Sequence, residues 1–142
     1  MTQDAILKAI PHRPPFLLLD TILEQSDNRI VCDKTFLGSE FWYDGHYPDA
    51  PITPGVLLCE AAMQAGAVLL ASRVGASDGR VPVATRADDV RFKKMVKPGD
   101  TITIDVTLDD QVSNAFYLTG KVMVAGKLAA RLSFACTLAE QP

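Results

Sequence analysis

The most persistent pattern in the chain is an apolar run without a polar face. Residues Gly55 to Ser72 read GVLLCEAAMQAGAVLLAS, broken only by Glu60 and Gln64, four apart on one helical face. Thr53 suits an N-cap and Pro54 the first helical position, where a missing N–H costs nothing. A helix is predicted from there to about Arg73, ended by Gly75 and the Ala-Ser-Asp-Gly that follows. The second half has a different period. Thr101 to Leu108, TITIDVTL, alternates polar and apolar side chains, as a strand with one wet face does. Turn signals at Ser113-Asn114 and Gly126-Lys127 separate FYLTGKVMVA and LAARLSFACTL from it, so everything after Arg80 reads as antiparallel sheet.

The first third is more broken. Asp4 to Ile10 suits a short helix, stopped by Pro11 and the Pro14-Pro15 pair. FLLLDTILEQ and RIVCDKTF, between Phe16 and Phe36, read as two strands about a turn at Ser26-Asp27-Asn28. Gly38 to Pro54 is an irregular loop rich in Gly, Pro, Asp and aromatics. The sum is one long apolar helix and a sheet of at least five strands. A helix with no wet face must be wrapped by the sheet, and whatever the sheet leaves bare must meet a second subunit.

At 142 residues, 48% hydrophobic, the chain fits one domain, 1–142, with a sizeable core. A formal net charge of −3 gives no basis for general nucleic-acid binding. The central run is long enough to raise the question of a membrane span, but Glu60 and Gln64 within it favour a helix buried in protein. Three scattered cysteines, Cys32, Cys59 and Cys136, and an N-terminus without a secretory pattern lead to a cytoplasmic expectation.

Candidate chemistry concentrates between His46 and Glu60. His46 lies in YDGHYPDAPITPG, where Pro48, Pro51 and Pro54 stiffen the loop and lower the entropic cost of holding an imidazole still. Glu60 has Val56, Leu57, Met63 and Gln64 one helical turn away. Such surroundings suit a general acid, or else a structural partner for Arg73 or Arg91. The helix start at Gly55 and Val56 offers free N–H groups to an oxygen gaining negative charge. Base, acid and donor together suit removal of a proton α to a carbonyl with loss of a β-substituent. His12, beside Arg13 in PHRPPF, reads as a structural histidine, and Cys59 as a small apolar filler rather than a nucleophile. Two histidines without a second ligand cluster call for no metal.

GHYPDAPITPGVLLCEAAMQ resembles the family of β-hydroxyacyl-acyl-carrier-protein dehydratases of FabZ type. PHRPPFLLLD and RFKKMVKPGD look like two further motifs of that family, in the expected order. The resemblance implies an α+β hotdog fold, in which a curved antiparallel sheet wraps one long helix. It implies dimers, commonly joined as a trimer of dimers, with active sites at the dimer interface and no cofactor. It also places the catalytic histidine on His46 and the acid on Glu60, reached from the other subunit. The carbonyl donor falls on Gly55 with Val56 beside it, and an orienting glutamine on Gln64. Glutamate at 60, where the isomerising FabA-type relatives carry aspartate, favours a plain dehydratase. An acyl carrier protein would deliver the substrate, with Arg91, Lys93, Lys94 and Lys97 as a basic docking patch. Pro14 stands where many relatives have an aromatic residue, and VPVATRADDVRF lacks a tyrosine that gates the acyl tunnel in some. A hotdog thioesterase and a non-catalytic acyl-binding dimer are the alternatives.

Overall fold

The computed structural model describes residues 2–73 and 79–142. Helix α2, Gly55–Ala71, is its axis, and between Leu58 and Leu70 only Glu60 and Met63 escape full burial. Six strands cover it: β1 Thr21–Gln25, β2 Arg29–Thr35, β3 Arg80–Phe92, β4 Thr101–Val112, β5 Ala115–Val124 and β6 Lys127–Glu140. They form one sheet in the order β1-β2-β4-β5-β6-β3, with every neighbouring pair antiparallel. This is the hotdog architecture, α+β, that the resemblance implied.

Small residues let sheet and helix approach closely. A Cβ on Gly120 of β5 would stand 2.9 Å from the Ala62 Cβ of α2, and one on Gly66 of α2 would meet the Phe134 ring at 2.9 Å. Alternation in β4 and β5 carries out the wet-face, dry-face plan: Ile102, Ile104, Val106, Phe116, Leu118 and Val122 are all buried. β3 departs from that plan. It lies at a sheet edge with most of its residues exposed, Val83 and Val90 among them.

Several expectations need adjusting. The strand expected over FLLLDTILEQ covers only Thr21–Gln25; Leu17, Leu18 and Leu19 are buried but lie outside the ladder. The short helix α1 runs Gln3–Ala9, one residue earlier than expected. The Gly38–Pro54 loop contains a 3-10 turn, Phe41–Asp44, whose Trp42 and Tyr43 are buried. Helix α2 begins at Gly55, with Pro54 rather than Thr53 at the N-cap position and no side-chain cap. Thr53 is occupied elsewhere: its hydroxyl pairs with the Tyr43 hydroxyl at 2.6 Å, buried. The helix ends at Ala71 with Ser72 as C-cap, and the Gly75 stop lies outside the described residues. Among the described residues no helix is long and apolar enough to cross a membrane.

Candidate active site

The loop before α2 is clasped to itself around His46. Its N–H donates to Trp42 O at 3.0 Å, and its carbonyl accepts from the Ile52 N–H at 2.9 Å. The imidazole closes the clasp from the side chain, with Nδ1 2.9 Å from Ile52 O. A carbonyl only accepts, so Nδ1 carries the hydrogen and Nε2 keeps its lone pair. The ring also stacks on Tyr47, centroids 4.3 Å apart. The imidazole is therefore fixed in position and tautomer, with its basic nitrogen unspent.

Next in the chain, Thr53 N–H donates to Val96 O at 2.8 Å, tying the loop to the segment after β3. The Tyr43–Thr53 pair ties it to the 3-10 turn, and burial pushes the Tyr43 phenol up from its ordinary value. With Thr53 so engaged and Pro54 at the cap, no side-chain cap hydrogen bond is spent on the positive end of the 17-residue helix, where the Gly55 and Val56 N–H groups lie. Gly55 also lets the Phe92 ring close in, since a Cβ on it would lie 2.7 Å from that ring and push it aside. His46, Gly55, Val56, Phe92, Lys93 and Lys94 line one open cleft of about 610 Å³. Lys93 and Lys94 are anchored by their backbone, both N–H groups donating to Ala129 O.

Glu60 opens into a different cavity. That space, about 310 Å³, is mostly apolar, with Met63, Ala67, Val83 and Cys136 in its lining together with Glu60 and His12. Gln64 Nε2 donates to Glu60 Oε2 at 3.1 Å and to Phe16 O at 2.8 Å, while its Oε1 accepts from Leu18 N–H at 2.8 Å. Gln64 is 1% exposed, so the amide is a fixed post against which the carboxyl rests. Neither arginine weighed as a structural partner for Glu60 reaches it. Arg73 donates to Asp27 O, and Arg91 to Asp89 Oδ1 at 3.0 Å.

One chain thus brings together His46, Gly55, Val56, Lys93 and Lys94, and separately Glu60 and Gln64. Arg91 and Lys97 line neither cavity; the Lys97 N–H is spent on Asp100 Oδ2. Sequence reasoning passed over Phe92, whose ring packs on Gly55, and read His12 as a structural histidine without connecting it to Glu60, whose Oε2 lies 3.7 Å from its Nε2. The RFKK motif is the only signal that pointed toward Phe92. Nothing local pointed to the approach of His12 to Glu60, because the two are 48 residues apart. The cysteines are buried fillers: burial pushes the Cys59 thiol up, Cys136 to about 11 and Cys32 to about 12.

The family model described as "FabA-like domain" matches residues 10–133. The 3-hydroxyacyl-[acyl-carrier-protein] dehydratase FabZ of Oenococcus oeni is 43% identical over 115 residues, 80% of this chain and 82% of that protein. That of Rickettsia bellii is 34% identical over 137 residues, covering 96% of this chain and 94% of the other. Among solved structures, the dehydratase heterocomplex ApeI:P from Xenorhabdus doucetiae superposes with a TM-score of 0.77 at 18% identity, over 96% of this chain and 91% of that one. A hypothetical thioesterase from Streptococcus pneumoniae, solved with coenzyme A, gives 0.65 at 15% identity, over 85% and 89%. At such identities these two structures speak to the fold.

Proposed function

This chain belongs to the FabA-like family, and on that premise we propose that it removes water from 3-hydroxyacyl thioesters on an acyl carrier protein, leaving the trans-2-enoyl thioester. It is a hydro-lyase of fatty-acid synthesis. In our reading His46 Nε2 takes a proton from C2, and the electrons move onto the thioester oxygen. The Gly55 N–H, with that of Val56 beside it, stabilises this oxygen. The C3 hydroxyl leaves as water after receiving a proton from Glu60. The observation that carries this reading is the bond from His46 Nδ1–H to Ile52 O, set beside an uncapped helix start in one cleft.

In a single chain Glu60 and His46 face different cavities. Base and acid therefore belong to one site only when the partner subunit's Glu60 supplies the acid. The exposed edge strand β3, with Val83 and Val90 uncovered, supports pairing with a second copy. The working unit is accordingly a homodimer of single-domain chains, and a trimer of such dimers is the further assembly we expect. Lys93 and Lys94 at the cleft mouth suit an acidic carrier protein; Arg91, held by Asp89, and Lys97 would be lesser parts of that patch.

The test is product analysis on a 3-hydroxyacyl carrier-protein thioester. Enoyl absorbance should rise without free thiol, and His46→Ala should slow it at least ~10²-fold, as loss of a general base does. Release of free thiol would make the protein a thioesterase. An unchanged rate in the variant would remove His46 from the chemistry.

A further inference from the structure

Glu60 has a second neighbour besides its amide post. His12 Nε2 lies 3.7 Å from the same oxygen, Oε2, to which Gln64 Nε2 donates at 3.1 Å. That separation is longer than a hydrogen bond, so ring and carboxyl are close neighbours rather than a bonded pair. His12 Nδ1 is buried and has no hydrogen-bond partner. A hydrogen there would have no acceptor, so the neutral ring carries it on Nε2, the nitrogen facing the carboxyl. The backbone beneath His12 is held by its neighbour. Arg13 Nη1 donates to His12 O at 2.7 Å and Ile10 O at 2.9 Å, and its Nη2 to Leu7 O at 3.0 Å. Ring and amide therefore approach Oε2 from two fixed supports, one on α1 and its continuation, the other on α2.

A carboxylic acid has one oxygen that accepts and one that carries the proton. The bonded Gln64 donor and the His12 ring nitrogen 3.7 Å away, both on the Oε2 side, favour its accepting form. Oε1 has no hydrogen-bond partner among the described residues. We propose that His12 is a positioning residue for the Glu60 carboxyl, acting with Gln64 to keep Oε2 as the accepting oxygen and to leave the acidic proton on Oε1, where a substrate hydroxyl can take it. This rests on the reading of Glu60 as the general acid. His12 itself transfers nothing; it decides which oxygen is the donor.

The test compares four single variants, His12→Phe, His12→Gln, His12→Asn and Glu60→Gln, and the His12→Phe/Glu60→Gln double variant, by kcat and KM on the carrier-protein thioester, with thermal unfolding alongside. A glutamine places its terminal N–H near the site of Nε2, whereas asparagine reaches only the level of Nδ1. His12→Phe and His12→Asn should lower kcat ~10-fold with KM little changed, and His12→Gln should keep most of the rate. In the Glu60→Gln background His12→Phe should add no further loss, because both changes act through one group. A packing role would give the opposite order, with phenylalanine active and glutamine impaired, and would overturn the proposal. An additive loss on top of Glu60→Gln would overturn it too. The Gln–Asn comparison decides the matter if the phenylalanine variant does not fold. Wild-type turnover by Glu60→Gln alone would instead remove the general acid, a failure distinct from any result at His12.

Discussion

Replacing Gln64 with methionine keeps the length of the side chain and deletes its three hydrogen bonds. Leu18, 0% exposed, then holds an N–H with no acceptor, a loss of about 1–3 kcal/mol. Phe16 is 43% exposed, so its carbonyl can turn to water and contributes less. The apolar thioether offsets part of the loss in a core that already buries Leu69 and Leu18. The net destabilisation is about 2 kcal/mol, which in a domain of this size lowers Tm by roughly 4–8 °C. Circular dichroism at one fixed protein concentration measures it, since assembly makes Tm depend on concentration. Below the transition kcat should also fall, because Glu60 Oε2 has lost its donor. A Tm equal to or above that of the wild type would refute the view that this amide bridges the Phe16–Leu18 segment to α2.

Two other outcomes test the scaffold and the thiols. Gly120→Ala would set a Cβ 2.9 Å from the Ala62 Cβ, and neither side chain can swing away, so overpacking should cost about 1–3 kcal/mol in urea unfolding. For the cysteines the sign follows from the thiolate being the reactive form. Cys32 and Cys136, pushed up to about 12 and about 11, stay protonated at pH 8, and the folded protein should resist iodoacetamide there while the denatured chain labels all three cysteines by mass spectrometry.

How much was legible in the sequence depended on how local each cause is. Alternation in TITIDVTL and the apolar run of α2 are periodic signals, and both elements lie where the period put them. Thr53 misled because a good capping residue has other uses for its hydroxyl, and Tyr43, ten residues earlier, takes it. Leu17 to Leu19 have strand composition, but the Phe16 carbonyl and Leu18 N–H pair with the Gln64 side chain and the Leu19 carbonyl with Gln3, not with a neighbouring strand. The His46 end of the site was legible because loop, proline spacing and helix start are contiguous. Its Phe92 wall and the His12–Glu60 approach were not, since both are contacts the fold makes across long stretches of chain.

Mixing two inactive variants tests the shared site most directly. His46→Ala and Glu60→Gln, each nearly inactive alone, are unfolded together, refolded at equal concentration and assayed for enoyl formation. In a mixed dimer one of the two sites keeps an intact imidazole from one protomer and an intact carboxyl from its partner. Random pairing should therefore restore about a quarter of wild-type activity. Refolded mixtures no more active than the separate variants would contradict the account, because base and acid would then have to come from the same chain.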